Sequence, residues 1–405
     1  MKLARELAEL FDLANLSDTF YEDPYPYYRA LQELSPIKRL RDGSYFISRY
    51  ADVLAVYSNP PIFSSDKKIE FKPKYGDSAL YEHHTTSLVF NDPPLHTRVR
   101  RLITAALTPR AIGEMEPALI ALVDRLLDQI QQKQSADLIE DFAAAIPIEV
   151  IGNLLNVPRD ERGPLRGWSL AILSALEPAI SKDIFERGNE AVQAFLDYLK
   201  SLVAERRRHP GDPQRDVLTA LIQGEHSGDR LTENELLHNC IFILNAGHET
   251  TTNLIGNGLV LLEQWRDQRQ RLIAEPELIK TAIEEFLRFE SSNQLGNRIT
   301  IQPTEMAGIA MPAGTRIHLC IGAANRDPAQ FPDPDRLDIG RTPNRHLAFA
   351  WGIHACAGMA LARLEGRVAI SRFLKRFPNF ALPSMPARNK RARFRGFSEI
   401  VFCGT

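Results

Sequence analysis

The chain has 405 residues, of which 44% are hydrophobic and 25% are charged, and its formal net charge is −2. These values are typical of a folded globular protein and exclude a disordered or fibrous chain. A net charge so close to zero provides no overall field that would favour nucleic acid or an acidic membrane surface as the main partner.

The predicted elements change in character along the chain. Alternating apolar and polar residues around Asp42-Gly43 predict a β-hairpin with a type I′ turn. From residue 94 to about residue 271, and again over 278–289, apolar residues recur at helical spacing. Short strand-like segments follow at 297–301, 307–311 and 315–322, and a last long helix begins near Cys356. No linker, low-complexity tract or repeat divides the chain, so residues 1–405 are expected to form one domain, mainly α with a small β region.

The cysteines and the apolar segments indicate a reducing compartment. Four widely spaced cysteines suggest neither a disulfide framework nor a CxxC site. Charged residues interrupt the N-terminal apolar segment, unlike the core of a signal peptide, and no run of about eighteen apolar residues occurs. We therefore expect a cytoplasmic protein without a membrane anchor.

Cys356 stands immediately before the last predicted helix. Backbone N–H groups and the positive end of the helix dipole favour its thiolate, the form that binds a metal ion. The alternative is a buried structural cysteine, which is the commoner fate of an isolated cysteine. His354 adds a second possible ligand, but no further pair follows with the spacing of a zinc site.

The longest apolar helical segment is interrupted at its centre by Ala246-Gly247-His248-Glu249-Thr250. Gly247 weakens a helix, and the Thr250 hydroxyl can bond the Ala246 carbonyl, which bends the helix and admits a small ligand. Glu249 beside Thr250 supplies the carboxylate and hydroxyl of a short proton relay. From these residues alone, a polar patch on the solvent face of an amphipathic helix is the alternative.

Together these segments resemble the cytochrome P450 family. Phe349, Gly352, Cys356 and Gly358 are spaced as in that family's cysteine-ligand loop, and residues 246–250 are similar to its oxygen-binding helix. Similarity extends over nearly all of the chain, including the segments DPYPYYRAL, NDPPLHTRVRRL, AANRDP and FPDPDRLDI. The resemblance implies a single-domain P450 fold, with haem between the oxygen-binding helix and the cysteine-loop helix.

The resemblance also implies the cofactor, haem b (iron protoporphyrin IX), and its contacts. Cys356 is the implied iron ligand, with O2 as co-substrate and with Glu249 and Thr250 as the catalytic pair that delivers protons. The implied cofactor-binding residues are Ala246, Gly247, Phe349, Gly352 and Gly358 around the ring, and His96, Arg100, Arg298 and His354 at the propionates.

One residue departs from the family pattern. Ala350 stands where bacterial members commonly carry glycine. A turn that requires a positive φ at this position would be strained by the alanine Cβ.

A further resemblance concerns a structural ion pair. Glu285 and Arg288 share a helical face and are similar to the family's Glu-x-x-Arg motif. This implies a buried network completed by Arg336, with a structural and not a catalytic role.

The segment after this motif is polar where relatives often carry apolar residues. If Asn293, Gln294 or Asn297 faces the expected substrate pocket, its buried amide needs a hydrogen-bond partner. This predicts a small organic substrate with hydrogen-bonding groups. The alternative is that these amides point into the sheet or to solvent.

The electron donor is expected to be a separate protein, because too few residues follow Cys356 for a fused reductase. Ferredoxin and ferredoxin reductase, or a flavodoxin, are implied for a monomeric enzyme, with Arg98, Arg101, Arg345 and Arg367 steering the acidic partner. A peroxide-driven P450-type oxidase and a non-catalytic haem-based ligand sensor are the alternatives. The basic runs at 205–210 and 386–395 lack a nucleic-acid-binding fold; we predict a solvated helix end and a late strand pair, respectively.

Overall fold

The computed structural model describes residues 2–213, 216–223 and 231–403. Helices make up most of these ranges, as predicted. The α-helices are Lys2–Leu10 (α1), Asp18–Glu22 (α2), Tyr25–Leu34 (α3), Tyr50–Tyr57 (α4), Lys68–Tyr75 (α5), Ala79–Thr86 (α6), Leu95–Ala106 (α7), Pro109–Gln131 (α8), Ala145–Leu154 (α9), Leu165–Ser174 (α10), Lys182–Arg208 (α11), Val217–Gln223 (α12), Glu233–Gln264 (α13), Arg266–Ala274 (α14), Ile279–Phe289 (α15), Ile321–Ala324 (α16) and Met359–Arg376 (α17).

The strands are short and form three small sheets within the described ranges. They are Ile37–Arg39 (β1), Tyr45–Ile47 (β2), Phe63–Ser64 (β3), Ala136–Asp137 (β4), Leu295–Thr300 (β5), Thr304–Met306 (β6), Ile309–Met311 (β7), Arg316–Cys320 (β8) and Val401–Phe402 (β9). The main sheet has the order β1-β2-β8-β5-β3, in which only β2 and β8 run parallel. β4 pairs with β9 and β6 pairs with β7. The three strand segments predicted after residue 290 are confirmed as β5, β7 and β8.

The predicted hairpin is present, but its turn is of another kind. β1 and β2 pair antiparallel with Ile37 opposite Ile47. A type I′ turn needs positive φ at both central residues, whereas here only Gly43 has one, at +80°. The Asp42 carboxylate accepts the Ser44 N–H at 3.0 Å and the Ser44 hydroxyl at 2.6 Å. This local hydrogen bonding stabilises a wider turn in which Asp42 keeps a negative φ.

Helix α13 runs through the interior of the molecule. Thr232 and Glu235 form a capping box at its start, which satisfies two of its terminal N–H groups. Helices α9, α10, α11, α15 and α17 pack around it. Because it is enclosed in this way, the polar residues at its centre are not a solvent-facing patch: Glu249 is only 4% exposed.

A buried ion pair joins α15 to the segment before the cysteine loop. Glu285 and Arg288 are both fully buried, and Arg288 donates Nε–H and Nη2–H to the carboxylate at 2.7 and 2.8 Å. The prediction that the Arg336 side chain completes this network is wrong. Arg336 contributes only its carbonyl oxygen, which lies 3.4 Å from Arg288 Nη2. Arg336 is an exposed residue at the end of a turn that begins at Asp333. Arg341 takes that place, 3.1 Å from Glu285.

The C-terminal basic run does not form the predicted strand pair. Residues 386–395 make only isolated bridges, such as Asn293 with Phe394, before β9. Arg388 and Arg395 instead turn inward and form ion pairs with the buried Glu290 at 2.8 and 2.7 Å. Arginines that read as surface charges in the sequence therefore belong to the interior.

Within the ranges given above, every helix is too short or too polar to cross a membrane.

Candidate active site

A cavity of about 350 Å³ lies between the centre of α13 and the loop that precedes α17. Cys356 lines it from the loop, and Ala246 and Thr250 line it from the helix. Much of the remaining wall is apolar, formed by Leu88, Val89, Phe90, Ile151, Ile172, Leu173, Leu176, Phe242 and Ile243. Thr250 and Cys356, which are 106 residues apart in the sequence, thus line one cavity.

The cysteine loop holds Cys356 through its backbone. The Cys356 N–H donates to the Phe349 carbonyl at 2.9 Å, and α17 begins three residues later, after Gly358. The Phe349 ring is fixed by the Arg363 guanidinium, whose carbon lies 4.6 Å from the ring centroid. An added Cβ at Gly358 would meet no protein atom, so a flat group can approach the backbone closely there.

Burial raises the pKa of the Cys356 thiol, although the Gly358 N–H, Arg100 and Arg363 act in the opposite direction. The net shift is opposite to the one expected from the helix terminus alone. Desolvation of a full negative charge exceeds what one N–H group and two guanidiniums return. A cation at the sulfur would reverse the balance, since metal binding deprotonates a ligating thiol.

Two residues of the loop have left-handed backbone conformations. Ala350 has a φ of +55° and Gly352 a φ of +69°. A side chain at Gly352 would also place its Cβ 2.7 Å from the Tyr57 carbonyl oxygen. Ala350 therefore occupies the strained position that its Cβ makes unfavourable, whereas glycine at 352 is required by both conformation and space.

Thr250 has the hydrogen bond that the sequence predicts. Its hydroxyl donates to the Ala246 carbonyl at 2.8 Å while the side chain lines the cavity. Gly247 packs against Ile151, whose Cδ1 would lie 2.4 Å from an added Cβ. The absence of a side chain at 247 thus keeps α13 close to α9.

Glu249 does not line the cavity with its neighbour. Its carboxylate forms an ion pair with Arg391, which also contacts Glu177 at 3.2 Å. The second Glu249 oxygen, Oε2, has no partner among the described residues. Burial raises the pKa of Glu249, Arg391 lowers it and Glu177 raises it again. The predicted carboxylate–hydroxyl pair is therefore adjacent along the helix but points in two directions.

His96, Arg100, Arg298 and His354, which we call the rim cluster, all line the cavity. The His96 and His354 rings lie 4.2 Å apart between centroids. Both His96 nitrogens and His354 Nε2 are buried without a hydrogen-bond partner in the described part of the chain. Burial and the charges of Arg298, His96 and Arg100 lower the pKa of His354 to about 2.

Among the described residues, the arginines of the rim cluster have no carboxylate within 4.0 Å, and Asp92 favours the charged form of Arg298 only from a longer distance. Arg298 donates Nη1–H to the Asn297 carbonyl at 2.7 Å and lies 5.0 Å from the Tyr57 ring centroid. Neither Arg298 nor Arg100 forms an ion pair with any described residue. The rim cluster thus concentrates positive charge and unused N–H donors on one part of the cavity wall.

The three amides predicted near the substrate divide in two. Asn293 and Asn297 line the cavity, and the Asn293 Oδ1 has no partner among the described residues. Gln294 is buried elsewhere, with its Nε2 donating to the Ser291 carbonyl at 2.7 Å. Gln294 precedes β5, and its hydrogen bond to Ser291 holds its side chain away from the cavity.

Sequence reasoning missed several polar groups of the site. Glu365 lines the cavity from α17 without a partner for Oε2 in the described ranges, and burial raises its pKa to about 8. Lys67, His84 and Arg393 also line the cavity. Glu365 lies nine residues after Cys356 in the last predicted helix, so its position near the cysteine could have been noticed. Nothing in the sequence indicated that Lys67, His84 and Arg393 were buried.

Comparison with known proteins shows what this site belongs to. A family model, Cytochrome P450, matches residues 169–397. The biotin biosynthesis cytochrome P450 of Bacillus subtilis (strain 168) is 36% identical over 388 residues, covering 95% of this chain and 97% of that protein. The chain belongs to the cytochrome P450 family. Its relatives include the vitamin D(3) 25-hydroxylase of Pseudonocardia autotrophica, which is 38% identical over 94% of this chain and 93% of that protein.

The fold of this P450 matches that of a solved structure over nearly its whole length. The crystal structure of P450BioI in complex with hexadec-9Z-enoic acid ligated acyl carrier protein superposes with a TM-score of 0.90 at 34% identity, covering 95% of this chain and 99% of that one. The fold is therefore the P450 fold, and the protein is a P450 monooxygenase. The prediction of the family, the fold and the enzyme class is confirmed.

The P450 family implies a haem cofactor, and the residues of this cavity fit it. Two propionates would satisfy the unpaired donors of the rim cluster, which otherwise have no acceptor among the described residues. The open space beside Gly358 admits the ring, and an iron cation would stabilise the thiolate that burial alone disfavours.

Proposed function

We propose that this P450 binds haem b through Cys356 and uses O2 to hydroxylate, or otherwise oxidise, a small organic substrate. The observation that carries the proposal is one cavity lined both by Cys356 and by a cluster whose two arginines form no ion pair with a described carboxylate. Thiolate-ligated haem supplies the activation of O2, because the ligand's electron density favours O–O cleavage.

The rim cluster and the loop hold the cofactor. His96, Arg100, Arg298 and His354 bind the propionates, and Phe349 shields the sulfur from one side. Gly352 and Gly358 let the backbone approach the ring, while Ala246 and Gly247 form the α13 side of the cavity in which O2 and substrate bind.

Glu249 and Thr250 deliver protons to the cavity. The Thr250 hydroxyl faces the cavity and holds its proton in a hydrogen bond to the Ala246 carbonyl. Glu249 has a raised pKa and lies beside Thr250 in the chain, so it can exchange a proton when its contact with Arg391 opens. This acid–alcohol pair favours the O2 reaction over a peroxide-driven one.

Electrons come from a ferredoxin and its reductase, or from a flavodoxin. Arg101 and Arg345 are exposed and attract an acidic donor protein. Arg367 is half-buried and donates to the Arg363 carbonyl at 3.3 Å. Arg98 forms an ion pair with Glu235, bridging α7 and α13, and so supports the surface instead of contacting the donor.

The substrate carries hydrogen-bonding groups. Asn293 and Asn297 present amides to a cavity with apolar walls, and a buried amide that lacks a partner costs about 1–3 kcal/mol. Alanine at Asn293 or Asn297 should therefore weaken spectrally detected substrate binding, while alanine at Gln294 should not.

Turnover under 18O2 tests the proposal. The protein is supplied with NADPH, a surrogate ferredoxin, its reductase, and a panel of long-chain acids, alcohols and steroids. One 18O atom should enter a product, with peroxide a poor replacement for the electron supply. Product formed only with peroxide would identify an oxidase of that type, and O2 binding without NADPH consumption would identify a ligand sensor.

A further inference from the structure

Arg393 differs from the other arginines of its segment. Arg388 and Arg395 form ion pairs with Glu290, and Arg391 forms ion pairs with Glu177 and Glu249. Arg393 is equally enclosed, at 9% exposure, and lines the cavity. Yet no carboxylate of the described residues lies within 4.0 Å of its guanidinium.

The partners of the Arg393 guanidinium are all neutral. Its Nε–H donates to the Leu176 carbonyl at 3.1 Å and its Nη1–H to the Leu295 carbonyl at 2.7 Å. Its Nη2–H makes a long contact of 3.4 Å to Asn297 Oδ1. A guanidinium has five N–H donors and stays protonated in proteins. The carbonyls therefore orient Arg393 but leave part of its donor set unused, and Glu177 and Glu70 stabilise its charge only from beyond 4.0 Å.

The nearby carboxylates are committed to other groups. Glu70 forms an ion pair with the buried Lys67 at 2.7 Å. Glu177 accepts the backbone N–H groups of Ala392 and Arg393 at 2.9 and 3.1 Å and pairs with the Arg391 guanidinium. No described carboxylate is thus left over for Arg393, and a buried charge without a partner is unfavourable.

Two further donors lie close to Arg393. The Asn297 Nδ2 has no hydrogen-bond partner among the described residues, and its oxygen already faces the guanidinium. His84 lines the same cavity with Nε2 unpaired, and its pKa is lowered to about 3 by burial and by the charges of Lys74 and Arg393. His84 is therefore neutral near pH 7 and can donate one N–H. Lys67 also lines this cavity, and its pKa is lowered in part by the Arg393 charge. We call Lys67, His84, Asn297 and Arg393 the Arg393 cluster.

The apolar wall continues from this cluster across the cavity. Leu176, whose carbonyl orients Arg393, also lines the wall, and Phe394 follows Arg393 along it. A molecule with one anionic end and an apolar body would satisfy both kinds of surface at once.

We propose that the substrate of this P450 is an apolar molecule that ends in a carboxylate, and that this carboxylate pairs with Arg393 beside Asn297. The inference rests on the proposed function, because it concerns the substrate of the same cavity. An Arg–carboxylate pair is charge-assisted and geometrically specific. Binding in this way fixes which end of the substrate lies away from Arg393 and is available for oxidation.

Dodecanoate and its methyl ester test the charge directly. Their affinities for the haem-loaded protein are measured by isothermal titration calorimetry and, in parallel, by the substrate-induced shift of the Soret band. Dodecanoate should bind at least about 10-fold more tightly than the ester, because a hydrogen bond to a charged group is the stronger kind. Equal affinities in the wild type would overturn the proposal and would instead favour an acyl group bound as a neutral ester or thioester.

Variants assign the effect to one residue. Arg393→Gln keeps amide donors but removes the charge, so dodecanoate should weaken about 10- to 100-fold while the ester changes little. Arg393→Lys keeps the charge and should retain the preference for the acid. Lys390→Gln is the matched control, since Lys390 belongs to the same segment but is exposed and pairs with Asp18. Unchanged preference in Arg393→Gln would overturn the assignment.

Failure of the inference and failure of the proposed function are distinguishable. A protein that shows no thiolate-type band with carbon monoxide after reduction fails the proposed function, whatever it binds. A protein that shows the band but binds acid and ester equally fails only the inference. If Arg393→Gln does not fold, the comparison of acid and ester in the wild type and in Arg393→Lys still decides.

Discussion

The rim cluster and the Arg393 cluster are two cationic regions of one cavity, and they arise in different ways. In the rim cluster, two histidines and two arginines come from motif positions that the family resemblance identifies, and neither arginine forms an ion pair with a described carboxylate. In the Arg393 cluster, the decisive arginine comes from a basic run that looks like a surface segment. Both leave positive charge inside an apolar enclosure, where it is favourable only if an anion is supplied from elsewhere.

The difference indicates two kinds of anion. We propose that the rim cluster binds the propionates of the haem that the P450 family implies, and its residues accordingly have recognisable positions around Cys356. We propose that the Arg393 cluster binds the carboxylate of a substrate particular to this protein, for which no general motif would be expected. A cavity that contains both is suited to a constant anionic cofactor and a variable anionic substrate.

The largest expected effect is at the proposed proton path of Glu249 and Thr250, which belongs to neither cluster. Thr250→Val with Glu249→Gln should lower product formation about 100- to 10,000-fold, the usual range for general acid–base groups. Haem content and dodecanoate affinity should stay close to wild type, because neither residue belongs to a cluster. A parallel loss of either binding activity would show that the site had rearranged, and would break the separation of binding from proton transfer.

A somewhat smaller effect is expected at the rim cluster. His96→Leu with Arg298→Gln should weaken haem retention about 10- to 100-fold, as for other residues that support a metal centre, when haem transfer to apomyoglobin is followed. Arg393→Gln is the comparison variant and should retain haem normally. If Arg393→Gln loses haem as readily as the rim variant, the two clusters are not functionally distinct.

Glu365 offers a pH-dependent test of a buried carboxyl that neither cluster neutralises. Its pKa is about 8 in the folded protein and near 4.3 in an unfolded chain. Between these two pKa values, the folded protein holds a proton on Glu365 that the unfolded chain has released. The contribution of Glu365 to stability therefore falls as the pH rises from about 4.3 to about 8. Glu365→Gln removes this loss, so its melting temperature should exceed that of wild type by on the order of 5 °C at pH 8 and by little at pH 5.

A constant difference between the two proteins from pH 5 to pH 8 would contradict a raised Glu365 pKa. The apoprotein and the haem-loaded protein should be compared, because the cofactor occupies the cavity that Glu365 lines.

The smallest effect concerns the backbone of the cysteine loop. Ala350 has a φ of +55°, whereas no residue of 388–395 has a positive φ. Ala350→Gly should relieve the strain and stabilise the haem-loaded protein by about 1 kcal/mol, which chemical denaturation can measure. Gly352→Ala should be destabilising, because a side chain there also meets the Tyr57 carbonyl. No stabilisation by Ala350→Gly, together with a loss of stability in Gly352→Ala, would show that space and not conformation limits the loop.

Particular residues show which features of the structure could be predicted from the sequence. Local chemistry was predictable: the Thr250–Ala246 hydrogen bond and the Glu285–Arg288 pair each depend on neighbours in the chain. The turn after β1 was predicted as type I′ because the sequence does not reveal which hydrogen bonds Asp42 makes.

Long-range burial was not predictable. Arg393 is oriented by carbonyls 217 and 98 residues away, so its position depends on how three distant segments pack. Arg341 replaces Arg336 beside Glu285 for the same kind of reason, because the turn that starts at Asp333 decides which guanidinium points inward. The same limit applies to Glu249, whose partner Arg391 is 142 residues away.

The carbon monoxide difference spectrum of the reduced protein tests the central claim most directly. The wild type should give the thiolate-type band, and Cys356→His should give an imidazole-type band at comparable haem content. Arg393→Gln and Lys390→Gln should both match the wild type, because neither residue touches the iron ligand. An imidazole-type band in the wild type, or a purified protein that takes up no haem, would contradict the assignment of Cys356 as the thiolate ligand.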